Sequence, residues 1–347
     1  MLSSTNVTTS GVQVIAELSA NHNGSLPRAL DLVRAAAHAG VDAVKLQTYT
    51  PDTITLDSDK PEFSVSADHE LWGGKKLYDL YTEAHTPWDW HAPIFELAAS
   101  LGLEAFSTPF DETAVDFLED LGVTRYKIAS LEIVDIPLIS KVAATGKPMI
   151  LSTGASTLEE VDTAFEAVMD VNPAADVTLL LCSSSYPANP SSIGLGNMAL
   201  LRQRYGTRVG FSDHTEGFGV ATAAAALGAS MIEKHMTLDV TENGPDESFS
   251  ATESGMAMLV RSVREAALAI QEHGFGPAPD EEESRRLRPS LWVTRDVKKG
   301  EVISEENVRS LRPSGGLAPA ALASLIGRTF LQDTKQATAV THDLHSA

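Results

Sequence analysis

Cysteine is nearly absent from this chain: 347 residues contain one, Cys182. An intramolecular disulfide framework and a multi-cysteine zinc site are thereby excluded, and a reducing cytoplasm is the expected setting. Long apolar runs are missing too. The greasiest segment, VATAAAALGAS, falls far short of the ~20 residues that span a bilayer, so no membrane partner is expected. The amino-terminal MLSSTNVTTSG has neither a basic region nor an apolar stretch, which predicts neither a signal nor a transit peptide. Positive charge is in deficit, with 26 Lys and Arg against 47 Asp and Glu and a net charge of −21. Nucleic acid is therefore not an expected partner. An anionic substrate would need a local positive pocket in a negative molecule. What remains, 43% apolar and 21% charged residues, suits a soluble globular protein with a large first domain and a smaller second one.

Short runs rich in Val, Ile, Leu or Met alternate with Ala-rich amphipathic stretches. The expected strands are VIAELS (14–19), AVKLQT (43–48), EAFSTPF (104–110), YKIAS (126–130), MILSTG (149–154), VTLLLCS (177–183), RVGFSD (208–213) and SMIEKHMT (230–237). Pro27 sits where a first helical turn tolerates proline, and Gly40 and Gly122 where helices stop. Alternation of this kind implies parallel pairing, and eight units over about 250 residues suit a closed (β/α)₈ TIM barrel. A doubly wound open sheet is the runner-up, disfavoured because ELSANHNGS rather than G-x-G-x-x-G follows the first strand. The segment from about 50 to 90 reads as an insertion carrying a helix over the top of the barrel. The barrel domain is expected over 1–275, a Gly/Pro-rich and charged linker over 276–290, and a small second domain over 291–347.

Barrel chemistry gathers at the carboxyl ends of the strands, and the unusual polar residues lie there. Glu17 ends the first run. Lys45 and Gln47 share one face of the second, opposite Val44 and Leu46. Thr108 and Phe110 end the third, and Ser152 the fifth. Lys127 lies in the fourth, out of phase with Ser130, which must fall just beyond the strand if both contribute. Ser184 and Tyr186 follow the sixth. In GFSDH, Ser212 and His214 share a face against Phe211 and Asp213, and in MIEKHM Glu233 and His235 share one against Ile232 and Lys234. If the phases match, the two imidazoles converge on the mouth. Two neutral histidines are too few for a closed zinc site but suit an open Mn²⁺- or Mg²⁺-type centre. Taken singly, Cys182 reads as barrel packing, His22 as a loop anchor, Asp246 as turn chemistry, and the aromatics of YTEAHTPWDWH as a small core of the insertion itself. Barrel interiors favour bulky apolar residues, so two strand lysines and two strand-end histidines call for one joint explanation.

IAELSANHNG, DAVKLQTYT, FSTPFD, YKIASLEI, LSTGAS, CSSSYP, GFSDHT and IEKHMTLD resemble, in order, the sequence blocks of the sialic-acid synthase family. The tail containing DVKKGEVISEENVRSLRPSGGLAP resembles that family's antifreeze-like SAF domain. ELWGGKKLYDLYTEAHTPWDWH is similar to the branch that makes pseudaminic acid, and CSSSYP places Ser184 where neuraminate synthases of bacteria carry an Asn. The resemblance implies condensation of phosphoenolpyruvate with an N-acetylated aldose. C3 of phosphoenolpyruvate attacks the aldehyde, water adds at C2, and phosphate leaves by C–O cleavage. It implies catalytic roles for Glu17, Lys45, Lys127, Glu233 and Asp246. Substrate contacts are implied at Gln47, Thr108, Phe110, Ser130, Ser152, Ser184, Tyr186 and Ser212, and metal ligation by His214 and His235. It also implies a domain-swapped homodimer in which Arg312 reaches the partner's sugar site. N-acetylneuraminate or legionaminate synthesis is the nearest alternative. A non-catalytic binder built on the antifreeze-like tail is a reading of another class, against which the assembled barrel residues weigh. Another barrel lyase or related phosphoenolpyruvate-using synthase is a third.

Overall fold

In a computed structural model the described residues are 11–66, 72–241, 244, 246–271 and 274–346. The first ten residues, whose sequence predicts no targeting signal, lie outside them, as do Glu70 and Leu71 of the insertion. The alternating runs form β1 (Gln13–Glu17), β2 (Ala43–Thr48), β3 (Glu104–Pro109), β4 (Tyr126–Ile128), β5 (Met149–Ser152), β6 (Val177–Cys182), β7 (Arg208–Asp213) and β8 (Met231–His235). Each pairs in parallel with the next, and β8 returns to β1 with His235 opposite Glu17, which closes the barrel and removes the open-sheet alternative. β1, β4, β5 and β8 stop short of their expected ends at 19, 130, 154 and 237. The polar residues there leave the ladder to turn into loops.

Helix boundaries follow local chemistry. Leu26–Ala39 starts where the Ser25 side chain accepts from the Arg28 amide and Pro27 occupies the first turn. It stops at Gly40, whose φ of 81° lets its amide reach the carbonyls of Ala36 and Ala37. Ala29, Leu32, Val33 and Ala36 form its buried face against outward strand residues such as Val14, Val44 and Ile232. Each large apolar side chain buried this way stabilises the fold by roughly 1.5–3 kcal/mol.

Period-two alternation layers the barrel interior. At the amino-terminal end Arg125 donates to Glu104 (2.7 Å) and to Gln13 (2.9 Å), closing the floor. Above it Ile15, Ala43, Phe106, Ile150, Leu180 and Met231 make a solid apolar plug. Gly210 completes this layer because nothing larger fits: a Cβ there would lie 2.5 Å from the Met231 carbonyl oxygen and 2.7 Å from the Leu180 side chain. The next inward tier is polar, and it is the floor of the mouth.

Between β2 and β3 the insertion carries the helix Leu77–Ala84 and a 3₁₀ turn Trp88–Trp90, and the barrel helix His91–Ser100 follows it. The insertion's aromatics do not form a core of their own. Trp88 stacks on Phe117 at 4.6 Å, Trp90 meets His22 edge-on at 5.4 Å, and Tyr81 meets Tyr49 at 5.7 Å. Rings that alternate along a short segment have no second layer within it, so they pack on the barrel. His22 holds its loop through Thr86 at 3.3 Å, and burial lowers its pKa to about 4.

The chain divides into two compact units, Met1–Gln271 and Glu272–Ala347. The stretch 276–290, expected as a linker, belongs to the second unit and carries the helix Glu282–Arg286. That unit pairs β9 (Ser290–Val293) with β10 (Val308–Leu311) in antiparallel fashion. Its own core includes Leu291, Val293, Ile303, Val308, Phe330 and Val340. Among the described residues no helix is long and apolar enough to cross a membrane.

Candidate active site

Strand phase delivers the polar tier. Glu17, Lys45, Lys127 and Glu233 all point inward above the apolar plug and are buried. Lys45 forms an ion pair with Glu17, lies 3.8 Å from Glu233 and donates to Thr108 at 3.2 Å. Lys127 lies 3.5 Å from Glu233, which also accepts from Ser212 at 3.1 Å. Two ammoniums and two carboxylates thus balance in a site that water barely reaches. Burial pushes Glu17 up, with Glu233 adding to the shift against the pull of Lys45. Burial acts on Glu233 in the same sense, but Lys127, Lys45 and His214 outweigh it and hold it low. Lys127 is pulled down, chiefly by burial.

The expected face-sharing in β7 and β8 is observed on both sides of the sheet. Asp213 and Lys234, facing outward, pair at 3.0 Å. Inward, His214 and His235 meet with ring centroids 5.3 Å apart. Burial depresses both imidazoles, His235 well below its ordinary value, so both are neutral. His214 Nδ1 lies 2.7 Å from the Ser183 carbonyl, and a hydrogen bond donated there leaves the Nε2 lone pair free. His235 Nδ1 is buried without a partner. Neutral rings, one with its tautomer set by a carbonyl and one with an unsatisfied nitrogen, fit a divalent ion that keeps open positions. Tyr186 lies 4.3 Å from His214 and 5.1 Å from Phe249, so a wall of rings flanks the pair.

On the β4–β6 side the mouth is lined with hydroxyls. Ser130 lies just beyond β4, accepts from the Gly154 amide at 3.2 Å and sits 3.0 Å from Cys182 Sγ. A Cβ on Gly154 would fall 2.4 Å from Ser184 Oγ, 2.6 Å from Cys182 Sγ and 2.8 Å from Ser130 Oγ. Only glycine lets these groups gather. Ser152 Oγ and Ser184 Oγ are buried with no partner, and such donors call for an acceptor from a ligand. Cys182 therefore belongs to this cradle and not to barrel packing, because it is in phase with inward Leu180 and one step higher.

On the β1–β2–β8 side, Gln47 Nε2 donates to Ser19 Oγ at 3.2 Å, and Ser19 Oγ donates to Asp246. Asp246 also receives the Ala20 amide at 3.4 Å, and burial raises its pKa. It is thus a mouth residue as well as the start of the turn Glu247–Phe249. Phe110 packs on Tyr49 at 5.1 Å. Arg312 lies just past β10 in the second unit and is exposed. Sequence reasoning missed Ser19 and Glu132. Glu132 follows Ser130 in the 3₁₀ turn Leu131–Val134 and keeps Oε2 buried and unpartnered. Burial raises its pKa to about 7 against the pull of Lys127. An acidic residue inside the otherwise apolar LEIV was the available signal.

Residues 32–274 match the NeuB family, and residues 288–343 match the SAF domain. The chain is 41% identical over 332 residues to the pseudaminic acid synthase of Helicobacter pylori, spanning 95% of this chain and 97% of that protein. It is 42% identical over 325 residues to the pseudaminic acid synthase of Campylobacter jejuni, spanning 93% and 94%. Among solved structures, the N-acetylneuraminic acid synthetase of Leptospira borgpetersenii in complex with citrate is similar at a TM-score of 0.70 and 30% identity, over 79% of this chain and 90% of that one.

Proposed function

The chain belongs to the NeuB family, and we propose on that premise that it makes pseudaminic acid. In this reading phosphoenolpyruvate condenses with 2,4-diacetamido-2,4,6-trideoxy-altrose and water to give the nine-carbon 2-keto sugar acid and phosphate. The carrying observation is an anion cradle in a molecule of net charge −21, in which Ser152 and Ser184 hold buried, unpaired hydroxyls around the Gly154 gap. Those groups, with Ser130 and Lys127, suit a phosphate, and Lys45 suits the neighbouring carboxylate. Glu233, kept ionised by both lysines, orients them and Ser212. Glu17 and Glu132 are the carboxyls raised by burial. Glu132, near 7, can hold a proton for the aldehyde oxygen as the carbon–carbon bond forms, and Glu17 can receive one from the water that adds at C2. Gln47 and Asp246 lie on the opposite half of the mouth and, with Tyr186 and Phe110, suit the acetamido and hydroxyl groups of the sugar. A divalent ion on His214 and His235, Mn²⁺ first and Mg²⁺ or Co²⁺ as alternatives, would polarise the acceptor aldehyde. The lone buried cysteine agrees with a cytoplasmic site of action.

The test is phosphate release from phosphoenolpyruvate with Mn²⁺, before and after EDTA, against the altrose derivative, the corresponding mannose derivative used for legionaminate, and N-acetylmannosamine. Selective turnover of the altrose, lost on chelation, is expected. Preference for N-acetylmannosamine overturns the branch, and silence with all three overturns the function.

The active form in this proposal is a domain-swapped homodimer whose Arg312 serves the partner's sugar site. His235→Ala and Arg312→Ala chains are each expected to be nearly inactive alone. Unfolded together and refolded as a mixture, they should recover about a quarter of the parental rate. Half the dimers are then mixed, and each has one intact site of two. No recovery would mean that Arg312 acts within its own chain or not at all.

A further inference from the structure

Ser19 stands just past the last inward residue of β1 with a φ of 43°, in the left-handed region that disfavours any residue with a Cβ. Glycine would hold this turn without strain. What serine adds is a buried hydroxyl that joins two other elements. Ser19 Oγ donates to Asp246, 227 residues away in the loop after β8, and accepts from Gln47 Nε2 of β2 at 3.2 Å. Its amide donates to Glu17 Oε1 at 2.8 Å. Asn23, on the same loop and also left-handed at 46°, reaches the same distant turn through Glu247 at 2.7 Å. Arg28 reaches Glu247 as well, at 3.0 Å.

Barrel order gives this cluster its meaning. β1 neighbours β2 and β8, whereas the hydroxyl cradle sits on β4, β5 and β6 across the mouth. Ser19 therefore ties together the half of the mouth that lacks the anion cradle. We propose that Ser19 is a positioning residue for the acceptor sugar: its hydroxyl sets the separation and direction of Gln47 and Asp246, and its amide aims Glu17. The inference rests on the synthase reading above and goes beyond it by assigning the sugar half of the mouth to a residue that itself touches neither substrate's reacting atoms.

Two variants separate the hydroxyl from the backbone. Ser19→Ala keeps the strain and loses the hydroxyl, whereas Ser19→Gly loses both, and each retains the amide bond to Glu17. With the unaltered protein as reference, both are expected to raise KM for the altrose derivative by about 10- to 30-fold, the loss of hydrogen bonds to a charged group. KM for phosphoenolpyruvate should stay within about twofold, and the unfolding midpoint of Ser19→Gly, which relieves the backbone strain, should be no lower than that of Ser19→Ala. In an Asp246→Asn background, Ser19→Ala should raise the sugar KM by less than about twofold further, because the two act as one unit. An unchanged sugar KM in either folded variant overturns the inference, as does an equal rise in both KM values, which marks a merely structural role. No turnover in the unaltered protein fails the synthase reading instead, so the two failures are distinct.

Discussion

His235→Ala is expected to lower turnover at least about 10³-fold, or ~4 kcal/mol of transition-state stabilisation, while moving the unfolding midpoint by no more than about 2 °C. Activity and stability separate here for a physical reason. The imidazole is buried, neutral and leaves Nδ1 unsatisfied, so removing it also removes an uncompensated polar group worth about 1–3 kcal/mol. That gain offsets the ring packing forfeited against Tyr186, His214 and Phe249. Metal linkage supplies a readout independent of turnover. At 100 times the dissociation constant, Mn²⁺ should stabilise the parent by about 2.7 kcal/mol and the variant by almost nothing. A variant that keeps a tenth of the rate, or that Mn²⁺ stabilises as much as the parent, would refute the ligand role of His235.

The parts of this site that can be read from the sequence are those fixed by strand phase. Ser212 with Glu233, His214 with His235, and Asp213 with Lys234 follow from alternation on two neighbouring strands, and the register makes each pair real. Ser130 falls beyond β4 by the same reasoning. Groups held by loops are not legible. Ser19 and Asp246 are 227 residues apart, and nothing in ELSAN announces a left-handed serine whose hydroxyl is spoken for. Glu132 leaves only a faint trace, one acidic residue within LEIV, because the burial of its Oε2 is set by the turn and not by strand phase. The TPWDW rings look like a local cluster until Phe117 and His22, distant in sequence, are seen to be their partners. Cys182 looks like packing in the sequence because the count of cysteines says nothing about the Gly154 gap that it borders.

Lys45→Met should reduce kcat/KM by roughly 10³-fold and, unlike His235→Ala, should also destabilise the fold by about 3–5 kcal/mol near neutral pH. Lys45 is the cation shared by Glu17 and Glu233 at the centre of the buried quartet. Its removal leaves Glu17 without its ion-pair partner in a site that already raises its pKa through burial. The folded-state pKa then lies further above the unfolded value of about 4.3. A carboxyl raised on folding contributes stability fully present below the unfolded pKa and lost as pH rises through the folded one. The penalty of Lys45→Met should therefore be less than half as large at about pH 5 as at about pH 8, in urea unfolding with metal chelated. Lys45→Arg supplies the contrast. It keeps the charge, so most of the stability and a flat pH dependence should return. The broader guanidinium cannot keep both the 3.2 Å bond to Thr108 and the contact with Glu17, so turnover should stay low. A Lys45→Met penalty that does not change with pH would show that Glu17 finds another cation or water, and that Lys45 does not hold the quartet together.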